Sequence, residues 1–144
     1  MFDARLRPLI DPTLNAMGRW LARVGIGANA VTLAAMGLGV GAGVAIAFAE
    51  YGLGLALILC NRLLDGLDGA VARATRPTDF GGFLDIVGDF VFYVAVPVGF
   101  GFAAPQNQLP ALLLVASFAL TGTSFLAFAV MAAKRGLETR AHGR

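Results

Sequence analysis

The stretch from Asn61 to Asp89, NRLLDGLDGAVARATRPTDFGGFLDIVGD, carries four aspartates in two pairs. Asp65 and Asp68 lie three residues apart, and Asp85 and Asp89 lie four residues apart. Each spacing places both carboxylates of a pair on one face of a helix. The first pair ends one apolar segment and the second pair begins the next. A short junction between two helices is therefore expected to bring the carboxylates together.

Four apolar segments occur along the chain, at residues 28–49, 52–74, 80–103 and 109–133. Each has the roughly twenty residues that a helix needs to cross a hydrocarbon core about 30 Å thick. Hydrophobic residues make up 58% of the 144 positions and charged residues only 14%, whereas about a quarter are charged in soluble domains. The sequence therefore predicts an all-α integral membrane protein with four transmembrane helices.

An amphipathic helix is predicted ahead of the first span. Asp11 followed by Pro12 is typical of a helix start. Four apolar residues then recur at helical spacing, namely Leu14, Met17, Leu21 and Val24. The segment is too short and too charged to cross a membrane. We expect residues 1–25 to form a juxtamembrane helix in the headgroup layer, anchored by Trp20; an ordinary solvated N-terminal helix is the alternative.

The distribution of Lys and Arg predicts an orientation. Basic residues precede the first span, occupy the junction between the second and third, and follow the fourth, whereas the other two connections contain none. Because Lys and Arg favour the cytoplasmic side, both termini and the Arg73–Phe80 junction are expected in the cytoplasm. The membrane is expected to be a bacterial inner membrane. The chain is predicted to be one domain, with a four-helix membrane core over 28–133 and a polar tail over 134–144.

The four aspartates are predicted to form a divalent-metal site. A charged side chain at the centre of a membrane helix costs roughly 2.5–3.5 kcal/mol, so this cluster needs compensating charge. Carboxylates favour hard cations such as Mg²⁺, Mn²⁺ or Ca²⁺ over zinc. Softer ligands are scarce, since Cys60 lies in an apolar run and His142 in the polar tail. Two divalent ions would balance the charge and leave positions for phosphate oxygens.

Other roles for these aspartates stay open. In a purely structural role, Arg62 would pair with Asp65, on the same helix. Arg73 would pair with Asp89 across the junction, and two aspartates would remain unexplained. A cation transporter that uses the carboxylates as an intramembrane ion site is a further alternative, and a non-catalytic membrane partner is another.

The pattern of motif residues resembles a known family. The chain resembles the signature of the CDP-alcohol phosphatidyltransferases in the pattern Asp65-x2-Asp68-Gly69-x2-Ala72-Arg73-x7-Gly81-x3-Asp85-x3-Asp89. The start of the first span, Asn29-Ala30-Val31-Thr32, resembles the Pro-Asn-x-x-Thr sequence of the family, with Ala28 in place of proline. Because members of that family usually carry six membrane helices, the resemblance implies a short or truncated member.

The resemblance implies an enzyme of phospholipid synthesis that transfers a substituted phosphate from a CDP-alcohol, with CDP-diacylglycerol the first candidate, to an acceptor alcohol and releases CMP. It implies two ions, Mg²⁺ or Mn²⁺, held by Asp65, Asp68, Asp85 and Asp89. Asp89 would also be the catalytic base. The residues that would contact the nucleotide are Asn29, Thr32, Asp68, Gly69, Ala72, Arg73, Thr78 and Gly81.

The partners that the resemblance implies are small molecules, lipid and a second copy of the chain. They are the CDP-linked lipid donor, the acceptor alcohol, the lipid bilayer and a homodimer partner, and no nucleic acid is expected. The acceptor itself stays open among glycerol phosphate, inositol phosphate, serine and another lipid alcohol.

Overall fold

The computed structural model describes residues 3–135, with side chains from residue 11 onward. Over that range the regular structure is helical, which confirms the all-α prediction. The helices are α1 (Asp3–Arg23), α2 (Ala28–Ala47), α3 (Tyr51–Ala74), α4 (Asp79–Ala103) and α5 (Gln108–Lys134). A single turn of 3₁₀ helix, Pro105–Asn107, joins α4 to α5. His142 lies outside the described residues.

Three stretches are long and apolar enough to cross a membrane: α2, α4, and residues Pro105–Lys134 that include α5. α3, at 24 residues, has the length for the predicted second span. It differs from the other three in composition, because its residues 62–74 include Arg62, Asp65, Asp68 and Arg73. Length and composition thus support three of the four predicted spans. A membrane-spanning α3 stays a prediction.

The predicted start of the first helix was wrong. α1 begins at Asp3, eight residues before Asp11, and continues through Pro8 and Pro12. A proline inside a helix removes one backbone donor and strains the preceding turn, but here the helix continues through both prolines. Asp11 is therefore not an N-cap.

α2 and α3 form an antiparallel pair. Gly54, at the start of α3, lies against Ile46 at the end of α2, and a Cβ on Gly54 would come within 2.6 Å of Ile46 Cγ1. Further along both helices, the side-chain amide of Asn61 donates a hydrogen bond to the carbonyl oxygen of Ala35 at 2.7 Å. Small residues at such contacts let membrane helices approach closely.

α4 packs on α2 in a parallel direction. Gly99 of α4 lies against the backbone of Gly43, and a Cβ on Gly43 would in turn clash with the carbonyl oxygen of Ala95. Nearer the start of both helices, Gly88 lies close to Met36, with 3.7 Å between a Cβ built at Gly88 and Met36 Cε. Gly43, Gly88 and Gly99 therefore serve contacts between α2 and α4.

α1 and α5 flank this three-helix core. α1 packs on the second half of α3, where a Cβ on Gly18 would come within 2.7 Å of the carbonyl carbon of Ala70. Trp20 is 61% exposed on the outer face of α1, and its depth in a bilayer stays a prediction. α5 runs antiparallel to α4, with Gly122 against Phe90.

The helix directions bring five helix termini to one end of the bundle. These are the starts of α2 and α4 and the ends of α1, α3 and α5, since only four residues join α1 to α2. Arg73, Arg76, Lys134 and Arg135 lie there, and we call it the basic end. The opposite connections, residues 48–50 and 104–107, contain no Lys or Arg. Which end faces the cytoplasm stays a prediction.

Candidate functional site

The two aspartate pairs lie on neighbouring stretches of α3 and α4 toward the basic end. Asp65 and Asp68 are in the second half of α3, and Asp85 and Asp89 are in the first half of α4. Arg62 joins the two helices, since its Nη1 lies 3.1 Å from Asp89 Oδ1 and 3.8 Å from Asp65 Oδ2. The structure therefore brings both pairs into one region, as the spacing predicted.

The ion pairs differ from those expected for a purely structural role. Arg62 does pair with Asp65, but its shorter contact reaches Asp89 on the other helix. Arg73 does not pair with Asp89, and its Nη2 donates to Asn15 Oδ1 of α1 at 3.3 Å. Eleven residues separate Arg73 from Arg62 on α3, which is about 16 Å of helix. Arg73 is therefore too close to the basic end to reach Asp89.

Asp68 is the most deeply buried of the four aspartates, at 5% exposed. The hydroxyl of Thr32, on α2, donates to Asp68 Oδ2 at 2.6 Å. A hydrogen bond to an ionised carboxylate is stronger than one between neutral groups. α2 therefore fixes the direction of this carboxylate, although the acidic residues all belong to α3 and α4.

A cavity of about 600 Å³ opens beside Asp68 and Asp85 at the basic end. Its walls come from the start of α2, the end of α3, the α3–α4 junction and the start of α4. All eight residues expected to contact a nucleotide line it: Asn29, Thr32, Asp68, Gly69, Ala72, Arg73, Thr78 and Gly81. Asp65 and Asp89 lie further from the basic end, beside Arg62, and are not lining residues.

The junction shapes one wall of this cavity. Thr78 caps α4, because its Oγ1 accepts a hydrogen bond from the Gly81 backbone N–H at 3.0 Å. A Cβ at Gly81 would come within 3.1 Å of Thr78 Oγ1 and 3.2 Å of Asn29 Oδ1. A side chain at residue 81 would therefore crowd both the Thr78 cap and Asn29. The free backbone N–H groups of a helix start also favour anions.

Sequence reasoning missed several lining residues of the junction. Thr75, Arg76 and Pro77 all line the cavity, whereas the sequence treated them only as a connection. The available signal was their position between Arg73 and Thr78, which were both expected to contact the nucleotide. A short link between two motif helices cannot lie far from the site that those helices form.

The candidate metal ligands fit a hard divalent cation by chemistry, since all are carboxylates. Their side chains do not gather around one point: among the residues that the structure describes, no three His, Cys, Asp or Glu side chains are placed to hold one ion together. Asp68 is engaged by Thr32, and Asp65 and Asp89 are engaged by Arg62. An ion would compete with these partners, so the metal site stays a prediction.

A bundle of long apolar helices with a carboxylate-lined cavity at one end defines an integral membrane protein with a polar binding site. Residues 26–144 match the family model for CDP-alcohol phosphatidyltransferase. The chain belongs to the CDP-alcohol phosphatidyltransferase family, as the resemblance of the motif predicted. Membership indicates phosphatidyl transfer in phospholipid synthesis, the activity for which the family is named.

Two relatives support the assignment. The chain is 49% identical over 139 residues to the inner membrane protein YnjF of Escherichia coli (strain K12), a match that covers 96% of this chain and 68% of that protein. It is 34% identical over 83 residues to the archaetidylinositol phosphate synthase of Pyrococcus horikoshii, covering 57% of this chain and 44% of that synthase. No solved structure gives a significant match. An inner membrane relative agrees with the long apolar helices.

Proposed function

We propose that the chain transfers a substituted phosphate from a CDP-linked lipid alcohol to an acceptor alcohol and releases CMP. The proposed donor is CDP-diacylglycerol. The observation that carries the proposal is the cavity at the basic end, which is lined by Asp85 and by all eight residues expected to contact a nucleotide. Its volume of about 600 Å³ falls within the roughly 300–1,000 Å³ of small-molecule sites.

The walls of the cavity suit a nucleoside diphosphate. Arg73 and Arg76 bring positive charge, and the positive end of the α4 helix dipole favours phosphate oxygens nearby. Gly69 and Gly81 line the cavity without side chains, so a ligand can approach the backbone there. Asn29 and Thr78 offer hydrogen-bonding groups for the rest of the nucleotide.

The proposed reaction forms one P–O bond and breaks another. The acceptor hydroxyl oxygen attacks the phosphorus that carries the lipid alcohol, and the bond from that phosphorus to the bridging oxygen of CMP breaks. CMP leaves with the electron pair of that bond, and Asp89 accepts the hydroxyl proton. Two divalent ions held by the aspartates would neutralise charge on the diphosphate. Thr32 donates a hydrogen bond to Asp68, and Arg62 donates one to Asp89.

The position of the cavity suits both a water-soluble headgroup and a lipid substrate. At one end of the bundle, it is open to a soluble headgroup and adjoins the apolar faces of α2 and α4. We propose that this end faces the cytoplasm and that α3 crosses the membrane as a fourth span. Burial of Asn61 and Asp68 against α2 supports this, because these two polar side chains of α3 are then shielded from lipid.

Release of CMP by the purified chain in lipid vesicles tests the proposal. The assay combines CDP-diacylglycerol, Mg²⁺ or Mn²⁺ and a panel of acceptor alcohols. We expect metal-dependent release from the native chain, lowered about 10²–10⁴-fold in Asp89→Asn, since a general base contributes that much to a rate.

Asp79→Asn is the matched control, because Asp79 is an exposed carboxylate on the same helix and does not line the cavity. It should retain the native rate. CMP release that survives in Asp89→Asn would remove the base assignment. No release by the native chain with any acceptor, while CDP still binds, would contradict catalysis and favour a non-catalytic binding protein.

A further inference from the structure

Arg62 lies at the inner side of the aspartate cluster, away from the basic end. Its Nη1 contacts Asp89 Oδ1 at 3.1 Å and Asp65 Oδ2 at 3.8 Å. All three side chains are about one-third exposed, with 35% for Arg62. A guanidinium carries its donors in one rigid plane. The direction of Arg62 therefore sets where a carboxylate of α3 and a carboxylate of α4 lie relative to each other.

Asn61 ties this guanidinium to α2. Asn61 is 2% exposed, and both ends of its amide are used. Its Nδ2 donates to the Ala35 carbonyl oxygen at 2.7 Å, and its Oδ1 accepts from Arg62 Nε at 2.7 Å. A buried amide with both ends satisfied has one favoured orientation. The amide therefore holds Arg62 at a fixed angle.

Phe92 covers the guanidinium from α4. The Cζ atom of Arg62 lies 4.2 Å from the centroid of the Phe92 ring, a distance at which a cation is attracted to an aromatic face. Gly39 of α2 makes room for both neighbours of Arg62. A Cβ there would lie 3.3 Å from Asn61 Nδ2 and 3.3 Å from Phe92 Cδ2. α2, α3 and α4 therefore all contribute to the arrangement.

We propose that Arg62 is a positioning residue, held by Asn61 and Phe92, that fixes Asp89 and Asp65 for the reaction. This inference rests on the proposed function, in which Asp89 is the base. Arg62, Asn61 and Phe92 all lie outside the family motif quoted above. Arg62 keeps two like-charged carboxylates together and sets the direction from which Asp89 meets the acceptor hydroxyl. A small misorientation of a catalytic group lowers the reaction rate strongly.

Steady-state CMP release by variants tests this role. For Arg62→Gln we expect kcat to fall about 10- to 100-fold, the usual cost of losing a group that orients a ligand or base. KM for the CDP-linked donor should change less than about threefold, because the donor cavity is untouched. Arg62→Lys should recover part of the loss, since it keeps the charge without the planar fork. Phe92→Leu should give a smaller loss in the same direction.

Thermal unfolding without substrate gives a readout independent of activity. Without divalent cations, Arg62→Gln leaves Asp65 and Asp89 without their cation and should lower Tm. Mn²⁺ should then raise Tm more in Arg62→Gln than in the native chain, because the ion replaces the lost charge. The Tm loss should also shrink in an Asp89→Asn background, as expected for two groups that interact. Arg19→Gln, on the exposed face of α1, is the control and should match the native chain.

The outcomes separate this inference from the proposed function. An active native chain whose Arg62→Gln variant keeps its kcat overturns the positioning role and leaves the transferase intact. A fall in kcat accompanied by a Tm loss that neither Mn²⁺ nor Asp89→Asn alters also overturns it, because that pattern belongs to simple packing. An inactive native chain that Mn²⁺ does not stabilise contradicts the proposed function. The Tm comparison with Asp89→Asn then still decides whether Arg62 and Asp89 are coupled.

Discussion

α3 and α5 are helices of similar length, 24 and 27 residues, that differ in what surrounds them. α3 directs polar side chains toward α2 and α4, so that Asn61 and Asp68 are almost fully buried. α5 directs large apolar side chains outward, with Leu120 74% exposed. Its Ser117 hydroxyl donates to its own helix, at the Leu113 carbonyl oxygen.

This difference shows what hydropathy measures in a membrane bundle. It identifies helices whose outer surface meets lipid, and it underrates a helix whose polar face is turned inward. A polar group at membrane depth must find its partner within the protein. Over the part of the chain with described side chains, every buried side-chain nitrogen and oxygen has a hydrogen-bond partner. If α3 crosses the membrane as predicted, its place there and the candidate site therefore depend on the same contacts.

The largest effect that would test this comparison is the sidedness of the two ends of α3. In a Cys60→Ser background, single cysteines at Glu50, Arg76 and Asn107 are labelled with a membrane-impermeant thiol reagent in sealed vesicles of known orientation. If α3 crosses the membrane, Glu50→Cys and Asn107→Cys are labelled from one side, and Arg76→Cys is labelled only from the cytoplasmic side. The contrast should be close to all or none.

Labelling of Glu50→Cys and Arg76→Cys from the same side would show that α3 does not span, whatever its length. Labelling of Arg76→Cys only from outside the cytoplasm would reverse the orientation that the basic residues predict. Each result is read against the same chain after detergent solubilisation, where all three cysteines should react.

A second test asks whether the buried polar face of α3 binds ligands. Asp68→Ala should lower the affinity for Mn²⁺ and for CDP about 100-fold or more, since even partners that only orient a ligand cost about 10- to 100-fold when lost. The measurement is titration calorimetry on the purified chain. Glu50→Ala, an exposed carboxylate near the opposite end, is the control and should bind both as the native chain does. Unchanged Mn²⁺ affinity in Asp68→Ala would contradict the proposed metal cluster.

Much of the fold could be predicted from the sequence because apolar runs and aspartate spacing are local signals. The predicted segment 52–74 corresponds to α3 at Tyr51–Ala74, and 80–103 corresponds to α4 at Asp79–Ala103. The helix over the N-terminal segment was also expected, but its start was misplaced. An Asp-Pro pair is a frequent helix start, and nothing local in the sequence indicates that a helix will continue through both Pro8 and Pro12.

The side-chain partners could not be predicted in the same way. Arg62 has an aspartate three residues away on its own helix, so Asp65 was the obvious partner from sequence. The closer contact to Asp89 depends on how α3 and α4 are rotated against each other. Asn15, which meets Arg73 from α1, depends on the approach that Gly18 allows. Such contacts follow from helix packing, which residue spacing alone does not determine.

The smallest expected effect concerns the apolar surface of α5. Leu120→Ala should change the free energy of unfolding by no more than about 0.5 kcal/mol, because the Leu120 side chain contacts lipid or detergent in the folded and in the unfolded state. Leu67→Ala is the matched comparison on α3, where Leu67 packs in a buried cluster with Val31 and Val71. It should cost about 2–5 kcal/mol by leaving a cavity. The measurement is reversible unfolding of both variants in the same detergent. Equal losses would mean that a partner covers α5 as closely as α2 covers α3, and α5 would then no longer be the lipid-facing helix of the comparison.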